Sequence, residues 1–262
     1  MLETRTRSSR VILQIVVTII VLPFLFPLVA MVQGSLAGAG WSNYAAVLSV
    51  PQVPYFFRNS LIIAAVTIAI VYACTMTAAF AFSKLRLAGK EIYFWMLLAA
   101  LTLPEVVLLA PLFATTVALN LFNTLWSVIL PLAALQIPFT VLITRNFLNG
   151  VPDELFEAAR VDGASTFRAF WSIVLPLTRP IGAAIVILTL VGSWNSYLLP
   201  LVFLQSPEQQ TITLLPQFFI GQFANDQPKV LASAVITAIP VVVAYLLLQR
   251  MFERGLAAGA LK

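Results

Sequence analysis

Long apolar stretches alternate with short polar connections along almost the whole chain. Six stretches have the length and apolar content of membrane spans, at about residues 11–33, 60–83, 92–117, 125–145, 178–204 and 229–249. A helix needs about 20 apolar residues to cross roughly 30 Å of hydrocarbon. The pattern therefore predicts an all-α, polytopic membrane protein with about six transmembrane helices.

The composition indicates that lipid is the main solvent of this chain. Hydrophobic residues make up 61% of its 262 residues and charged residues 10%, and the mean hydropathy is +0.98. Soluble domains contain about 45–50% apolar and about 25% charged residues. The first stretch is too long for the core of a signal peptide and lacks a small-residue cleavage pattern, so we expect it to remain as a helix. We predict a single transmembrane domain over residues 1–262, with its core in residues 60–250.

Two kinds of residue interrupt the apolar pattern. The stretch from Val106 to Thr144 carries no charge and is too long for one helix, and Asn120 and Asn123 in its middle predict a turn. Prolines within or near the spans remove backbone hydrogen bonds and favour kinks. They are Pro23, Pro27, Pro104, Pro111, Pro131, Pro138, Pro200 and Pro240.

The basic residues are distributed unevenly between the connections. Of the 15 Lys and Arg residues, only Arg58 and Lys229 fall on one side of the predicted membrane, and the others fall at the two termini and in the second and fourth connections. The positive-inside rule then places both termini and the connection of residues 146–177 in the cytoplasm. Because this asymmetry accounts for the net charge of +5, the basic balance does not indicate nucleic-acid binding.

Residue types that carry common catalytic chemistry are scarce. The chain has no His, and its one cysteine, Cys74, excludes an intramolecular disulfide. It contains no G-x-x-x-x-G-K-[ST], H-E-x-x-H or G-x-S-x-G sequence, which argues against an ATPase or a membrane enzyme. Secondary transporters commonly couple to ions through buried acids, and Glu105 is the only acid well inside a span. A secondary transporter of small solutes remains the alternative to the function inferred below.

The polar connection of residues 146–177 is predicted to fold as two short helices with a turn between them. Three acids near Pro152 favour the start of a helix, because they lie at the positive end of its dipole. The pair Asp162-Gly163 predicts the turn, and Ser165 is a suitable N-cap for the second helix. By composition alone, such an elbow would equally suit an amphipathic helix resting on lipid headgroups.

In this connection Glu157-Ala158-Ala159 is followed by Asp162-Gly163 and then by Leu175-Pro176 at the start of the next span. This order of residues resembles the EAA loop of the permeases of ABC importers. In that family the loop docks into a separate ATPase subunit. The resemblance therefore implies a coupling role for five residues, namely Glu157, Ala158, Ala159, Asp162 and Gly163.

Three further segments resemble the carbohydrate branch of the same family. Residues 194–201, Trp-Asn-Ser-Tyr-Leu-Leu-Pro-Leu, are similar to its W-N-x-[FY]-L-x-P-L run, and Asn59-Ser60-Leu61 to the N-S-L that opens its second span. Residues 255–262 are similar to its ending G-L-T-x-G-A-V-K-G without the last Gly. The likeness is strongest to the smaller subunit of maltose-type importers.

The resemblance implies a set of partners and a location. We expect a second permease subunit that forms a heterodimer with this chain, two ATPase subunits and an extracytoplasmic solute-binding protein, in the cytoplasmic (inner) membrane of a bacterium or archaeon. The chain is expected to bind no cofactor, since ATP and Mg are used by the ATPase. The cargo implied is a sugar or a sugar derivative.

Polar and aromatic residues inside the spans are the candidates for the substrate pathway. Ser193, Trp194, Asn195 and Tyr197 cluster in the fifth span, Gln136 lies mid-span in the fourth, and Glu105 follows Pro104 in the third. A polar group that faces lipid costs free energy unless it is paired. We predict that these six side chains line a cavity, with Asn195 the first choice and Glu105 the second. Hydrogen bonding between helices is the competing explanation for each residue.

Overall fold

The computed structural model describes the backbone of residues 7–221 and 226–260, and their side chains apart from residues 7, 8, 248 and 250–260. The regular structure of these residues is helical. Its α-helices are α1 (Arg7–Ser35), α2 (Ser42–Leu48), α3 (Val53–Lys84), α4 (Lys90–Ala99), α5 (Glu105–Ala118), α6 (Trp126–Asn149), α7 (Glu154–Val161), α8 (Thr166–Ala169), α9 (Leu175–Leu177), α10 (Arg179–Trp194), α11 (Leu198–Phe203) and α12 (Gln227–Ala260). A π-helix (Phe170–Val174) joins α8 to α9, and 3₁₀-helices cover Ala100–Thr102, Pro207–Gln209 and Ile212–Phe219.

Four of the described helices are long and apolar enough to cross a membrane, over Ser9–Ser35, Val53–Lys84, Trp126–Asn149 and Gln227–Leu247. Two bent helix pairs bring the number to six if each pair is one span. The prediction of an all-α polytopic protein with about six spans is confirmed.

The third and fifth predicted spans are not continuous helices. Lys90–Thr102 and Glu105–Ala118 meet at 105°, because Pro104 has no N–H to continue the ladder and Leu103 before it is extended. The pair Thr166–Leu177 and Arg179–Trp194 meets at 75°. Helix α10 ends at Trp194 rather than near residue 204, and α11 follows as a separate short helix.

The turn predicted between the third and fourth spans is present. Asn120 and Asn123 both have left-handed backbone conformations, with φ of 56° and 57°, which Asn tolerates better than most residues. The Asn123 side chain also holds a distant loop. Its Oδ1 accepts from the backbone N–H of Gln205 at 2.9 Å and of Ser206 at 3.0 Å, and its Nδ2 donates to Ser206 Oγ at 2.7 Å.

The described residues within 1–51 and 215–238 group into one compact unit. Within it, the Asn43 amide donates to the carbonyls of Ser35 and Ala37, both at 2.9 Å, and so fixes the connection between α1 and α2. A Cβ at Gly34 would lie 2.5 Å from Leu231 Cδ1, so only glycine permits this approach.

The described residues within 52–214 and 239–262 form the other unit. Helices α3, α6 and α10 supply most of its buried core. One cluster contains Ile63, Val128, Ile129, Leu132, Leu199, Phe203 and Leu204. A second contains Ala79, Phe80, Leu148, Phe156 and Val174, and a third Val71, Met76, Ala133 and Ile185. The second cluster supports the predicted coupling loop, and the other two lie beside the predicted pathway residues.

Candidate coupling elbow and polar cavity

Residues 150–177, named the elbow below, fold as the sequence predicts. Helix α6 ends at Asn149, α7 follows, and the chain turns at Gly163, whose φ is +79°. The backbone N–H of Gly163 donates to the Arg160 carbonyl at 3.0 Å, and that of Ala164 to the Ala159 carbonyl at 2.8 Å. Ser165 Oγ accepts from the Arg168 N–H at 3.2 Å and caps α8. The predicted fold of this segment, two short helices joined by a glycine turn, is therefore confirmed.

One face of the elbow packs onto the transmembrane helices through aromatic rings. Phe156 of α7 is buried, with its ring centroid 6.2 Å from that of Phe80 on α3. Phe80 also lies 5.6 Å from the ring of Phe170, and Leu148 and Val174 complete the cluster. Burial of these large side chains attaches the elbow to the ends of α3 and α6.

Lys84 connects the end of α3 to the start of the elbow. Its Nζ donates to the Val151 carbonyl at 2.6 Å and to Asp153 Oδ1 at 2.5 Å, and it lies 5.3 Å from the centre of the Phe156 ring. The Lys84 side chain is only 5% exposed, whereas that of Asp153 is 77% exposed. The hydrogen bond and the charge of Lys84 lower the pKa of Asp153. This ion pair is therefore intact at neutral pH, and it is lost only when the pH falls below the ordinary pKa of an Asp.

Two more polar contacts join the helix ends beside the elbow. Arg145 of α6 pairs with Glu91 of α4 at 2.5 Å, and its guanidinium carbon lies 3.9 Å from the centre of the Phe94 ring. Ser83 Oγ donates to Asn149 Oδ1 at 2.7 Å. The ends of α3, α4 and α6 thus form one connected support for the elbow.

The five predicted coupling residues lie together on the elbow. Glu157 and Ala158 are exposed on α7, Ala159 is half-buried, and Asp162 and Gly163 form the exposed turn after it. A Cβ at Gly163 would meet no atom within 4 Å. The face opposite the packed aromatic cluster is therefore open to a partner, and docking of an ATPase there stays a prediction.

The sequence reasoning missed exposed apolar side chains around this open face. Val161 is 88% exposed and Phe167 is 73% exposed, and they flank the Gly163 turn. Isolated exposed apolar residues are common, but a group within a polar loop marks an interaction surface. The available signal was their place directly before and after the polar turn around Asp162 and Gly163.

A second candidate site is a cavity of about 300 Å³ between α5, α6 and α10. It is lined by Glu105, Leu132, Leu135, Gln136, Phe139, Thr140, Leu188 and Gly192. Glu105 opens α5 directly after the break at Pro104, so the bend in the chain brings this carboxylate to the cavity. Phe139 is 46% exposed and presents its ring there. The cavity combines one carboxylate, one amide and one aromatic face.

Gln136 is held in place by α10. Its Nε2 donates to Ser193 Oγ at 3.5 Å, and a Cβ at Gly192 would lie 3.2–3.3 Å from the atoms of its amide. Thr140, one turn later on α6, shares a 2.7 Å hydrogen bond with Thr75 of α3. The structure thus places two of the six predicted pathway residues, Glu105 and Gln136, in the lining of the cavity and a third, Ser193, behind it in contact with Gln136.

The other three predicted pathway residues do not line this cavity. Trp194 is 3% exposed and lies 6.3 Å from the ring of Phe57. Asn195 is exposed at the C-cap of α10, and Tyr197 is 40% exposed beyond the helix end. Their place in a pathway stays a prediction.

Neither site contains a group of three or more His, Cys, Asp or Glu residues that could hold a metal ion, and none occurs elsewhere in the part of the chain that the structure describes. The tail of residues 255–262 is outside the described side chains.

Comparison with known proteins gives consistent matches. Residues 79–258 match the family model described as "Binding-protein-dependent transport system inner membrane component". The "Probable ABC transporter permease protein YurM" of Bacillus subtilis is 35% identical over 207 residues, which is 79% of this chain and 69% of that protein. The "Arabinooligosaccharides transport system permease protein AraQ" of Halalkalibacterium halodurans is 34% identical over 79% of this chain and 74% of that protein.

A solved structure shares the fold. A chain of the "bacterial ABC transporter involved in the import of the acidic polysaccharide alginate" superposes with a TM-score of 0.80, covering 94% of this chain and 98% of that one. At 22% sequence identity, this match establishes the architecture alone.

Proposed function

The chain belongs to the family of inner-membrane components of binding-protein-dependent transport systems, the permeases of ABC importers, and we propose that its cargo is a sugar or a sugar derivative. As a member it is a multi-pass membrane protein and a transport component, not an enzyme. The family works with an ATPase and with a solute-binding protein, so transport by this chain requires both classes of partner.

The observation that carries the proposal is the position of α6 between the two candidate sites. Gln136 and Thr140 of this helix line the cavity, and Leu148 at its other end packs in the cluster that supports the elbow. Twelve residues of α-helix span about 18 Å. A movement of the elbow would therefore reach the cavity along one helix.

We propose that the elbow docks into the ATPase through its open face. Glu157, Ala158, Asp162 and Gly163 form that face, with Val161 and Phe167 as its apolar part, and Ala159 lies at its edge in a pocket shared with Phe80 and Phe156. Small residues permit close approach, and the buried side anchors the elbow to α3 and α6. ATP and Mg would be bound by the ATPase, and this chain would bind neither. Both termini and the elbow would lie in the cytoplasm of the bacterial or archaeal host, in line with the distribution of Lys and Arg.

The pathway would form between this chain and a second permease subunit, most simply as a heterodimer. The cavity suits a sugar because carboxylate and amide groups pair with hydroxyls, and an aromatic ring offers a flat apolar face to a sugar ring. A relative named for arabinooligosaccharide transport supports the same class. Asn195, Trp194 and Tyr197 would then lie along the route outside the cavity.

Uptake by reconstituted vesicles tests this function. The chain would be purified together with its partner permease, ATPase and binding protein, and a panel of labelled oligosaccharides would be supplied with ATP. The proposal predicts uptake that persists when ionophores collapse every ion gradient, and that stops when the P-loop lysine of the ATPase is replaced. Uptake that follows an ion gradient and ignores ATP would instead indicate the secondary transporter.

A further inference from the structure

The lining of the cavity carries negative charge but no positive charge. Among its lining residues there is one carboxylate, Glu105, and no Lys or Arg. The other polar groups, Gln136 and Thr140, are uncharged. We propose that Glu105 acts as a charge filter, so that the route admits neutral or amine-bearing polyhydroxylated solutes and rejects carboxylated, sulfated or phosphorylated ones. This inference rests on the proposed function of the cavity.

The position of Glu105 explains why its charge acts on the cavity rather than on solvent. It is half-buried at the first position of α5, where the break at Pro104 turns the chain. Most of the remaining lining is apolar, from Leu132, Leu135 and Leu188. Charges in such surroundings interact more strongly than in water, and salt screens them less.

Two effects oppose each other at this carboxylate. The N-terminus of α5 carries a partial positive charge of about half an electron, which offsets part of the negative field. No cation of the lining offsets the rest. A net charge of roughly minus one half, acting across several ångströms at an intermediate dielectric constant, should change the local concentrations of cationic and anionic probes relative to each other by roughly five- to tenfold.

Gln136 adds hydrogen-bonding specificity to the negative charge of Glu105. Because Gly192 has no side chain, the amide of Gln136 lies directly against α10, and Gln136 Nε2 donates to Ser193 Oγ. The amide oxygen is therefore a second acceptor beside the carboxylate. Two acceptors without a basic group favour the hydroxyls and amines of a solute, and the lining offers no cationic partner to an anionic substituent.

Charged thiol reagents measure this field without any knowledge of the cargo. In a Cys74→Ser background, Phe139→Cys places a single thiol on the cavity wall. The assembled importer is treated with a cationic or an anionic methanethiosulfonate of similar size, and the ratio of the two rates is normalised to that of a free thiol. The ratio cancels any change in thiolate fraction, because both reagents react with the same thiolate.

We expect the cationic reagent to react roughly five- to tenfold faster, and Glu105→Gln to reverse this preference in favour of the anionic reagent, because the partial positive charge of the α5 N-terminus remains. Gln136→Glu, which adds a carboxylate at the adjacent position, should raise the ratio. Glu208→Gln is the matched control, because it removes the same charge from an exposed residue outside the cavity and should leave the ratio unchanged.

Equal rates for both reagents with Glu105 present would overturn the proposal. So would a preference that survives Glu105→Gln and does not respond to Gln136→Glu, because another group would then produce the field. Absence of labelling by either reagent would show that no aqueous route passes this wall. The labelling assay uses no sugar, so a negative result would overturn the charge filter without bearing on ATP-driven uptake. Absence of uptake by the unmodified importer would instead count against the proposed function.

Discussion

Substitution of Gly163 should loosen the elbow through backbone strain alone. Its φ of +79° is in the region that residues with a side chain rarely adopt, and a Cβ added there would meet no atom within 4 Å. The cost is therefore conformational rather than steric. It amounts to about 1–2 kcal/mol for Ala, more for a β-branched residue, and less for Asn, which tolerates the left-handed region.

The rate of amide hydrogen exchange at the end of α7 measures this conformational cost. The N–H groups of Asp162, residue 163 and Ala164 close the end of α7 and exchange when the turn opens. Since about 1.4 kcal/mol corresponds to a factor of ten, Gly163→Ala should speed their exchange by roughly five- to thirtyfold. Gly163→Val should exceed this increase, and Gly163→Asn should fall below it. The measurement is made by mass spectrometry on the permease in nanodiscs without the ATPase.

Gly150→Ala is the matched control, because Gly150 has an ordinary helical φ of −78° at the end of α6. The nearest atom to its added Cβ is the Phe147 carbonyl oxygen at 3.3 Å, which requires only a slight adjustment. Exchange at the elbow should stay within about twofold of the unmodified protein. If Gly163→Val also stays within about twofold, the strain argument is wrong and the turn does not depend on its glycine.

Three further substitutions test other parts of the structure. Lys84→Met removes the buried donor from the Val151 carbonyl, so elbow amides should exchange about tenfold faster, as loss of a charge-assisted hydrogen bond implies. Asn59→Ala leaves two carbonyls of residues 208–210 without their side-chain donor, at a cost of about 2 kcal/mol, and should make that loop more sensitive to limited proteolysis. Gly192→Ala forces its Cβ to within 3.2–3.3 Å of the Gln136 amide, and should lower uptake several-fold while the subunits still co-purify.

Each of these three expectations has a distinct contrary result. Unchanged elbow exchange in Lys84→Met would mean that the aromatic cluster alone holds the elbow. If the loop of residues 208–210 resists proteolysis equally well in Asn59→Ala, its other contacts are sufficient to hold it. Normal uptake by Gly192→Ala would show that transport does not depend on the position of the Gln136 amide.

Local chemistry explains which parts of the fold the sequence predicted. The turn at Asn120 and Asn123, the turn at Gly163 and the cap at Ser165 each depend on properties of one or two residues, and all three are present. The breaks after Leu103 and Trp194 were missed, although Pro104 directly follows the first and Pro200 lies six residues after the second. A proline in an apolar span permits either a kink or a complete break, and the surrounding packing decides between them.

Contacts between distant segments could not be predicted in this way. Lys84 binds the Val151 carbonyl 67 residues away, and nothing near either residue in the sequence marks the pairing. Glu105, Gln136 and Ser193 were chosen one by one for their polarity within apolar stretches. That they meet, whereas Asn195 and Tyr197 lie beyond the end of α10, depends on how α5, α6 and α10 pack.

The central claim is that the elbow couples ATP hydrolysis to passage of the cargo. Ala159 is half-buried at the edge of the elbow's open face, in a pocket shared with Phe80 and Phe156, and Ala159→Trp would overfill this pocket and disturb the docking surface. Uptake and hydrolysis would be measured in the same vesicles for this variant and for Ala39→Trp, an exposed alanine in the connection after α1. The account predicts that Ala159→Trp is inserted normally and that its hydrolysis no longer drives uptake, while Ala39→Trp behaves as the unmodified protein. Normal ATP-driven uptake by Ala159→Trp would contradict the account.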